Sequence, residues 1–200
     1  MSYNVDFLKE IEDVRHKDID FLSSNSVINH HVNGMDYLCL RRSNELTIKI
    51  YIIPKVINPN NGFLVNPHSH RYFFGSIVLK GSLRHLRFVE NDLGDDFRLF
   101  SYDCENKKMS NGKDAKIIVK SDDLVTKGQS YHVNTDEIHT LKILKPTIIG
   151  LVQERDEVDR TLIMFPKGGS RFKKSKSRPM TRWEYIQRLD MLRAELITEK

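Results

Sequence analysis

Between residues 37 and 165 the chain is a succession of short apolar runs separated by glycine, proline, asparagine and aspartate, and that rhythm limits the folds open to it. The clearest run alternates Leu46, Ile48, Ile50 and Ile52 with Thr47, Lys49 and Tyr51, the period of two that a strand imposes, giving one apolar and one mixed face. Strands are predicted over 37–40, 45–53, 83–88, 97–102, 117–119, 130–133, 139–144, 147–153 and 160–165, with another in the run from Tyr72 to Leu79. Pro54 to Gly62 reads as a loop, and Gly81-Ser82 as the turn of a hairpin joining 72–79 to 83–88. The polar stretch 90–116 reads as a surface excursion, with turns at 91–96 and 109–114. So many short strands predict an all-β sandwich or barrel.

Helices flank this region. Phe7, Leu8, Ile11 and Val14 form one apolar face over Val5 to Arg15, with Asn4 as the expected cap, and 19–22 continue it less regularly. At the other end Thr181 and Glu184 stand three apart as in a capping box, before a stripe of Trp183, Ile186, Leu189, Leu192 and Leu196 that would pack on the sheets or a second subunit. The expected organisation is one domain, 1–200, with a helical segment 1–24, a β core 37–165, a basic loop 166–180 and a helix 181–197.

Composition narrows the partners. The formal charge of +5 is modest and both signs are spread along the chain, so nucleic acid is not indicated. The local exception is Lys167 to Arg178, with six bases and no acid, read as a solvated loop with phosphate binding as the competing reading. Cys39 and Cys104 lie far apart without a neighbouring thiol, which argues against a disulfide framework or thiolate zinc site and fits a reducing cytoplasm. With no apolar run of roughly 20 residues and no secretory signal, a soluble cytoplasmic protein is expected, with no membrane partner.

The chemistry concentrates at Asn66-Pro67-His68-Ser69-His70-Arg71. Two histidines one residue apart on a strand point to the same side, giving a convergent imidazole pair. His30 and His31 are adjacent in a turn-like context and cannot easily chelate one ion together. Around the pair the spacing is Gly62, five residues, His68-x-His70, then Phe74, six residues, Gly81; downstream come Gly128, five residues, Asn134-Thr135-Asp136, two residues, His139.

These two motifs resemble those of the cupin superfamily over roughly 62–144. The resemblance implies a cupin jelly roll, or double-stranded β-helix, with short terminal helices, and one divalent metal held by His68, His70 and His139. Phe74 stands where the family most often has its glutamate ligand, Asn134 replaces its proline and Asp136 its turn glycine. The resulting three-histidine set is similar to that of thiol dioxygenases resembling cysteine dioxygenase, in ligand set only. Neutral imidazoles suit Fe(II), the favoured ion, with zinc, nickel, manganese or copper as alternatives, and leave positions open for substrate and dioxygen. A neutral set keeps the full dipositive charge on the metal and so favours an anionic or thiol-bearing small substrate.

The implied activity is that of a mononuclear non-haem iron dioxygenase or oxygenase. The alternatives are a non-redox cupin binding or isomerising a sugar-like ligand, and an interaction scaffold with a basic loop. His132, near His139, is a candidate acid/base; His85 has a weaker claim. Arg71, Tyr72, Phe74, Lys49 and Tyr51 are candidate substrate contacts, Arg41 a further one. Cupins are often dimers, so a homodimer is expected.

Overall fold

The computed structural model describes residues 5–56, 64–168 and 175–197. Gly62, Asn4 and residues 169–174 of the basic loop lie outside them.

After α1 (Phe7–Asp13), α2 (Ile19–Ser24) and the short β1 (Val27–Ile28), strands β2 (Asp36–Arg42) and β3 (Leu46–Ile53) open the first sheet. Then come β4 (Phe74–Lys80), β5 (Ser82–Asp103), β6 (Lys108–Met109), β7 (Lys113–Thr126), β8 (Ser130–Val133), β9 (Ile138–Ile143), β10 (Thr147–Glu154), β11 (Arg160–Pro166), β12 (Arg178–Pro179) and α3 (Arg182–Ile197). One sheet runs β12-β1-β2-β3-β10-β4-β8, and in the other β5 pairs with β7, β9, β11 and β6. Residues 64–70 join the second sheet through His68, which bridges His139 and Ile163. The orders β3-β10-β4-β8 and 64–70-β9-β5-β7, with successive segments crossing between sheets, are those of a jelly roll, so the expected fold class stands.

Three local expectations are corrected by this topology. The turn at Gly81 does not make a hairpin, because β4 pairs with β10 and β8 while β5 lies in the opposite sheet. Gly81 has φ +85°, and a Cβ there would stand 2.1 Å from the Pro146 carbonyl oxygen, so two sheet-crossing connections touch where only glycine fits. The excursion 90–116 is instead a long ribbon of β5 and β7, in which residues 91–94 form a bulge between the pairs Glu90↔Ile117 and Asp95↔Ile117. Nor do the two motif histidines share a regular strand with Tyr72: β4 begins only at Phe74.

Period-two placement of β3 explains its sequence. Ile50 opposes Gly150, where a Cβ would meet the Phe7 ring at 2.7 Å, so this face lies beneath α1. Thr47, Lys49 and Tyr51 therefore face the space between the sheets, and they too are buried. Helix α1 is capped by Asp6, whose carboxylate accepts from the Leu8 and Lys9 amides, so the cap expected at Asn4 falls two residues later. The capping box of α3 is present: the Thr181 amide donates to Glu184 at 2.9 Å and the Glu184 amide to Thr181 Oγ1 at 3.3 Å. The buried stripe of α3 is Tyr185, Leu189 and Leu192, and Trp183 is 67% exposed. At 100° per residue, Trp183 stands more than half a turn from Tyr185, which puts it on the far side of the helix.

Candidate metal centre

Backbone pairing on both sides holds the segment that carries the first two histidines. The His68 and His139 amides each donate to the other's carbonyl at 3.0 Å. On the opposite side the Ser69 amide donates to Leu162 O at 2.9 Å and the Met164 amide to Pro67 O at 2.9 Å. Ser69 Oγ accepts from the Leu162 amide at 2.9 Å, which gives the intervening serine a structural role. His68 and His139 are thus a hydrogen-bonded antiparallel pair whose side chains share a face, and His70 reaches the same face from two residues on.

The three imidazoles converge. One candidate ligand nitrogen from each of His68, His70 and His139 lies within 4.8 Å of the other two. Ring centroids are 4.7 Å apart for His68–His70, 5.1 Å for His70–His139 and 5.2 Å for His68–His139. A metal–nitrogen bond of about 2.1 Å places an imidazole centroid roughly 3.2 Å from the ion, so ligands at about 90–110° have centroids about 4.5–5.2 Å apart. All three distances fall in that range, and the residues present fit one ion.

His68 and His139 are also oriented from behind. His68 Nδ1 lies 2.8 Å from the Asn66 carbonyl oxygen, so it is the protonated nitrogen and Nε2 is left with its lone pair. His70 Nε2 and His139 Nε2 lie 2.9 Å apart. His139 Nδ1 lies 3.0 Å from His85 Nε2, a contact inside the core. Burial is the main cause lowering the proton affinity of the cluster: His70 and His139 fall well below the usual histidine range, His68 is lowered, and His85 drops to about 3. Neutral imidazoles with free lone pairs are the state a divalent ion needs.

The rings open onto a cavity of about 50 Å³ walled by Tyr51, Tyr72, Phe74, Tyr131, Leu141 and Leu151, with His31 and Met35 at one side; no carboxylate lines it among the described residues. At about 10–15 Å³ per water centre it has room for roughly three to five waters. Phe74 packs edge-on against His70 at 4.8 Å, a wall in the place of the absent glutamate. Lys49 lies on the cavity-facing side of β3, with Nζ 5.2–5.7 Å from the ring centroids of Tyr37, Tyr51 and Tyr72. Its ammonium donates to Gln153 Oε1 at 2.6 Å, and no carboxylate lies within ion-pair distance among the described residues. Desolvation brings this lysine down to about 7.

The other expected residues sit elsewhere. His132 is exposed on β8, one residue from Tyr131, which faces the cavity; alternation turns His132 outward, against Phe73. Arg71 pairs with Asp156 at 3.1 Å on the surface, and Arg41 is bound by Glu10 beside α1. Of the basic stretch, Lys167 pairs with Asp114 at 2.8 Å and Arg178 with Glu184 at 2.8 Å. The turn carrying His30 and His31 closes over the cavity, His30 stacking on Tyr51 at 5.6 Å and His31, at positive φ, lying 6.2 Å from His68. His30, His31 and His85 joined the cluster only through folding; the parity of His85 on β5 was the one signal, and it needed the register with β9 to read.

No family model matches the chain. No curated protein matches it either. Among solved structures it is similar to an RmlC-like cupin from Shewanella frigidimarina, at 15% identity over 66% of this chain and 86% of that one, with a TM-score of 0.37. It is also similar to KdgF from Halomonas sp., at 12% identity, 61% and 82% coverage and a TM-score of 0.36. A third is HEPD from Streptomyces albus with 2-hydroxyethylphosphonate and Fe(II) bound, at 12% identity, 66% of this chain, 24% of that one and a TM-score of 0.41. No helix among the described residues is long and apolar enough to cross a membrane.

Proposed function

We propose that this jelly-roll chain is a cupin-type mononuclear metal protein in which His68, His70 and His139 hold one divalent ion, Fe(II) in the favoured reading, and that it acts as a dioxygenase on a small anionic or thiol-bearing substrate. The observation that carries the proposal is the convergence of three imidazoles, 4.7–5.2 Å between centroids, on a cavity that no carboxylate lines among the described residues. When bound, the ion supplies a Lewis-acid centre with open positions for substrate and dioxygen.

The chain's own residues do the rest. Phe74, Leu141 and Leu151 exclude water around the imidazoles. Tyr51, Tyr72 and Tyr131 offer hydroxyls to a bound ligand, and burial keeps them protonated, Tyr72 and Tyr131 rising to about 12. Lys49 stands behind Tyr51 and Tyr72, and in its protonated form it adds a positive charge that favours an anionic guest. Room for a few waters suits a ligand of few heavy atoms and weighs against a hexose of about a dozen, the guest that the non-redox alternative would need. Substrate contacts are thus assigned to Tyr51, Tyr72 and Phe74, with Lys49 acting through its charge. A homodimer belongs to the same reading.

The test is metal content after purification without chelators and after Fe(II) addition, followed by oxygen uptake with small thiols and carboxylates. One equivalent of bound metal, lost in His68→Ala and His139→Ala, is expected. A protein that takes up no metal after Fe(II) addition, or keeps it in both variants, removes the site assignment; metal binding with no oxygen uptake on any candidate removes the dioxygenase reading.

A further inference from the structure

We propose that His85, a histidine with only a weak claim in the linear sequence, is the positioning residue of this centre: it accepts the Nδ1 hydrogen of His139 and thereby fixes His139 Nε2 as the ligand atom. The inference rests on the three-histidine reading and adds to it a residue on a different strand.

The geometry leaves few arrangements. His85 has no exposed surface, and its Nε2 stands 3.0 Å from His139 Nδ1 with the two rings at 83°. Tyr131 covers the His85 ring at 4.3 Å between centroids, so the ring cannot swing away without opening the core. A neutral imidazole carries one hydrogen, and a 3.0 Å nitrogen pair needs one hydrogen between its two atoms. If His85 Nε2 were the donor, His139 Nδ1 would hold the lone pair and His139 Nε2 its hydrogen, and a protonated Nε2 binds no metal. If His139 Nδ1 is the donor, its Nε2 lone pair faces His70 Nε2 at 2.9 Å, and His70 carries the hydrogen of that pair in the metal-free protein.

The second arrangement puts the single hydrogen of His85 on its Nδ1. That nitrogen is buried and has no partner among the described residues. The same wiring is unavailable to His68, whose Nδ1 already points at the Asn66 carbonyl, an acceptor that can never donate. His139 differs because its neighbour can take either tautomer, so the ligand state of His139 is set jointly with that of His85. Each ring is neutral with one hydrogen in either arrangement, so the choice between them changes neither ring's charge.

Zn(II) titration against a competing chelator, with wild type, His85→Gln and His85→Leu, tests this directly. The Gln amide oxygen accepts from an N–H, whereas Leu fills space without accepting. Expected are binding within a few-fold of wild type for His85→Gln and a loss of about 10–100-fold for His85→Leu, as for other outer partners of ligating histidines. In the Zn(II)-loaded wild type, 15N-edited imidazole spectra, assigned with His139→Gln, should show His139 protonated at Nδ1 and metal-bound at Nε2, and His85 protonated at Nδ1. Far-UV circular dichroism of the metal-free variants separates lost binding from lost fold, and the wild-type spectra decide the question even if His85→Leu does not fold. Equal affinity in folded His85→Leu, or a hydrogen on His85 Nε2 in the loaded protein, overturns the role of His85 while leaving the triad standing. Wild type that binds no Zn(II) overturns both.

Discussion

Replacing Lys49 by methionine should stabilise this protein at neutral pH and flatten the pH dependence of its stability. Lys49 is 4% exposed, has no carboxylate within ion-pair distance among the described residues and titrates at about 7 rather than 10.5 because burial desolvates it. The folded pKa lies below the unfolded one, so between pH 7 and 10.5 the unfolded chain binds more protons and stability rises with pH. Below pH 7 the penalty is full and constant. At 1.36 kcal/mol per unit it is about 4 kcal/mol at pH 7 and falls to about 1 kcal/mol at pH 10, an order-of-magnitude figure. Methionine keeps the length and apolar body of the stem and carries no charge. Gln153 loses its 2.6 Å partner, but it is half-buried and can turn to water, so that loss is about 1 kcal/mol and independent of pH. Urea unfolding of both metal-free proteins from pH 6 to 10 gives the difference directly, and the tyrosines, common to both, cancel in it. Lys49→Met should be more stable by roughly 3 kcal/mol at pH 7, with the gap closing towards pH 10. Parallel stability curves across this range would refute the claim that the lysine is held in the core at a desolvation cost.

Other outcomes follow from placement. His132→Ala and Arg71→Ala should leave metal affinity unchanged in a chelator competition, since the first side chain faces away from the cavity and the second is bound to Asp156 on the surface; a tenfold loss in either would mean the cavity is drawn on the wrong side of β8 or of the 66–73 segment. Gly81→Ala forces φ +85° on a residue whose Cβ meets the Pro146 carbonyl oxygen at 2.1 Å, so thermal unfolding should show a loss of about 3 kcal/mol or failure to fold, and a loss under about 0.5 kcal/mol would contradict the close crossing.

The regular part of the fold was legible because its signals are local. Alternation in Leu46–Ile52 identified β3, the turn residues bounded β8 to β11, and Thr181 with Glu184 announced α3. What failed were the inferences that needed a partner strand. Gly81 carries the same turn signature in a hairpin as in a crossing between sheets, and only the pairing of β4 with β10 and β8 distinguishes them. Trp183 fits a helical stripe by spacing, yet Tyr185 is the residue that points inward, its hydroxyl donating to Cys39 O at 2.7 Å.

At the candidate centre the division is the same. The sequence by itself determined the candidate ligand types and their order along the chain: His68-x-His70, then His139, with Phe74 where the resembled motif has a glutamate. These are short-range spacings, and spacing survives in a linear string. The tertiary structure alone decided what surrounds them. Insertion of 66–70 between β9 and β11 put His68 opposite His139, the register of β5 with β9 put His85 behind that ligand, and burial of the inner face of β3 put Lys49 beside three tyrosines. Side-chain parity fixes a direction only once the sheet is assembled, and the desolvation that makes His85 and Lys49 informative exists only in the closed core.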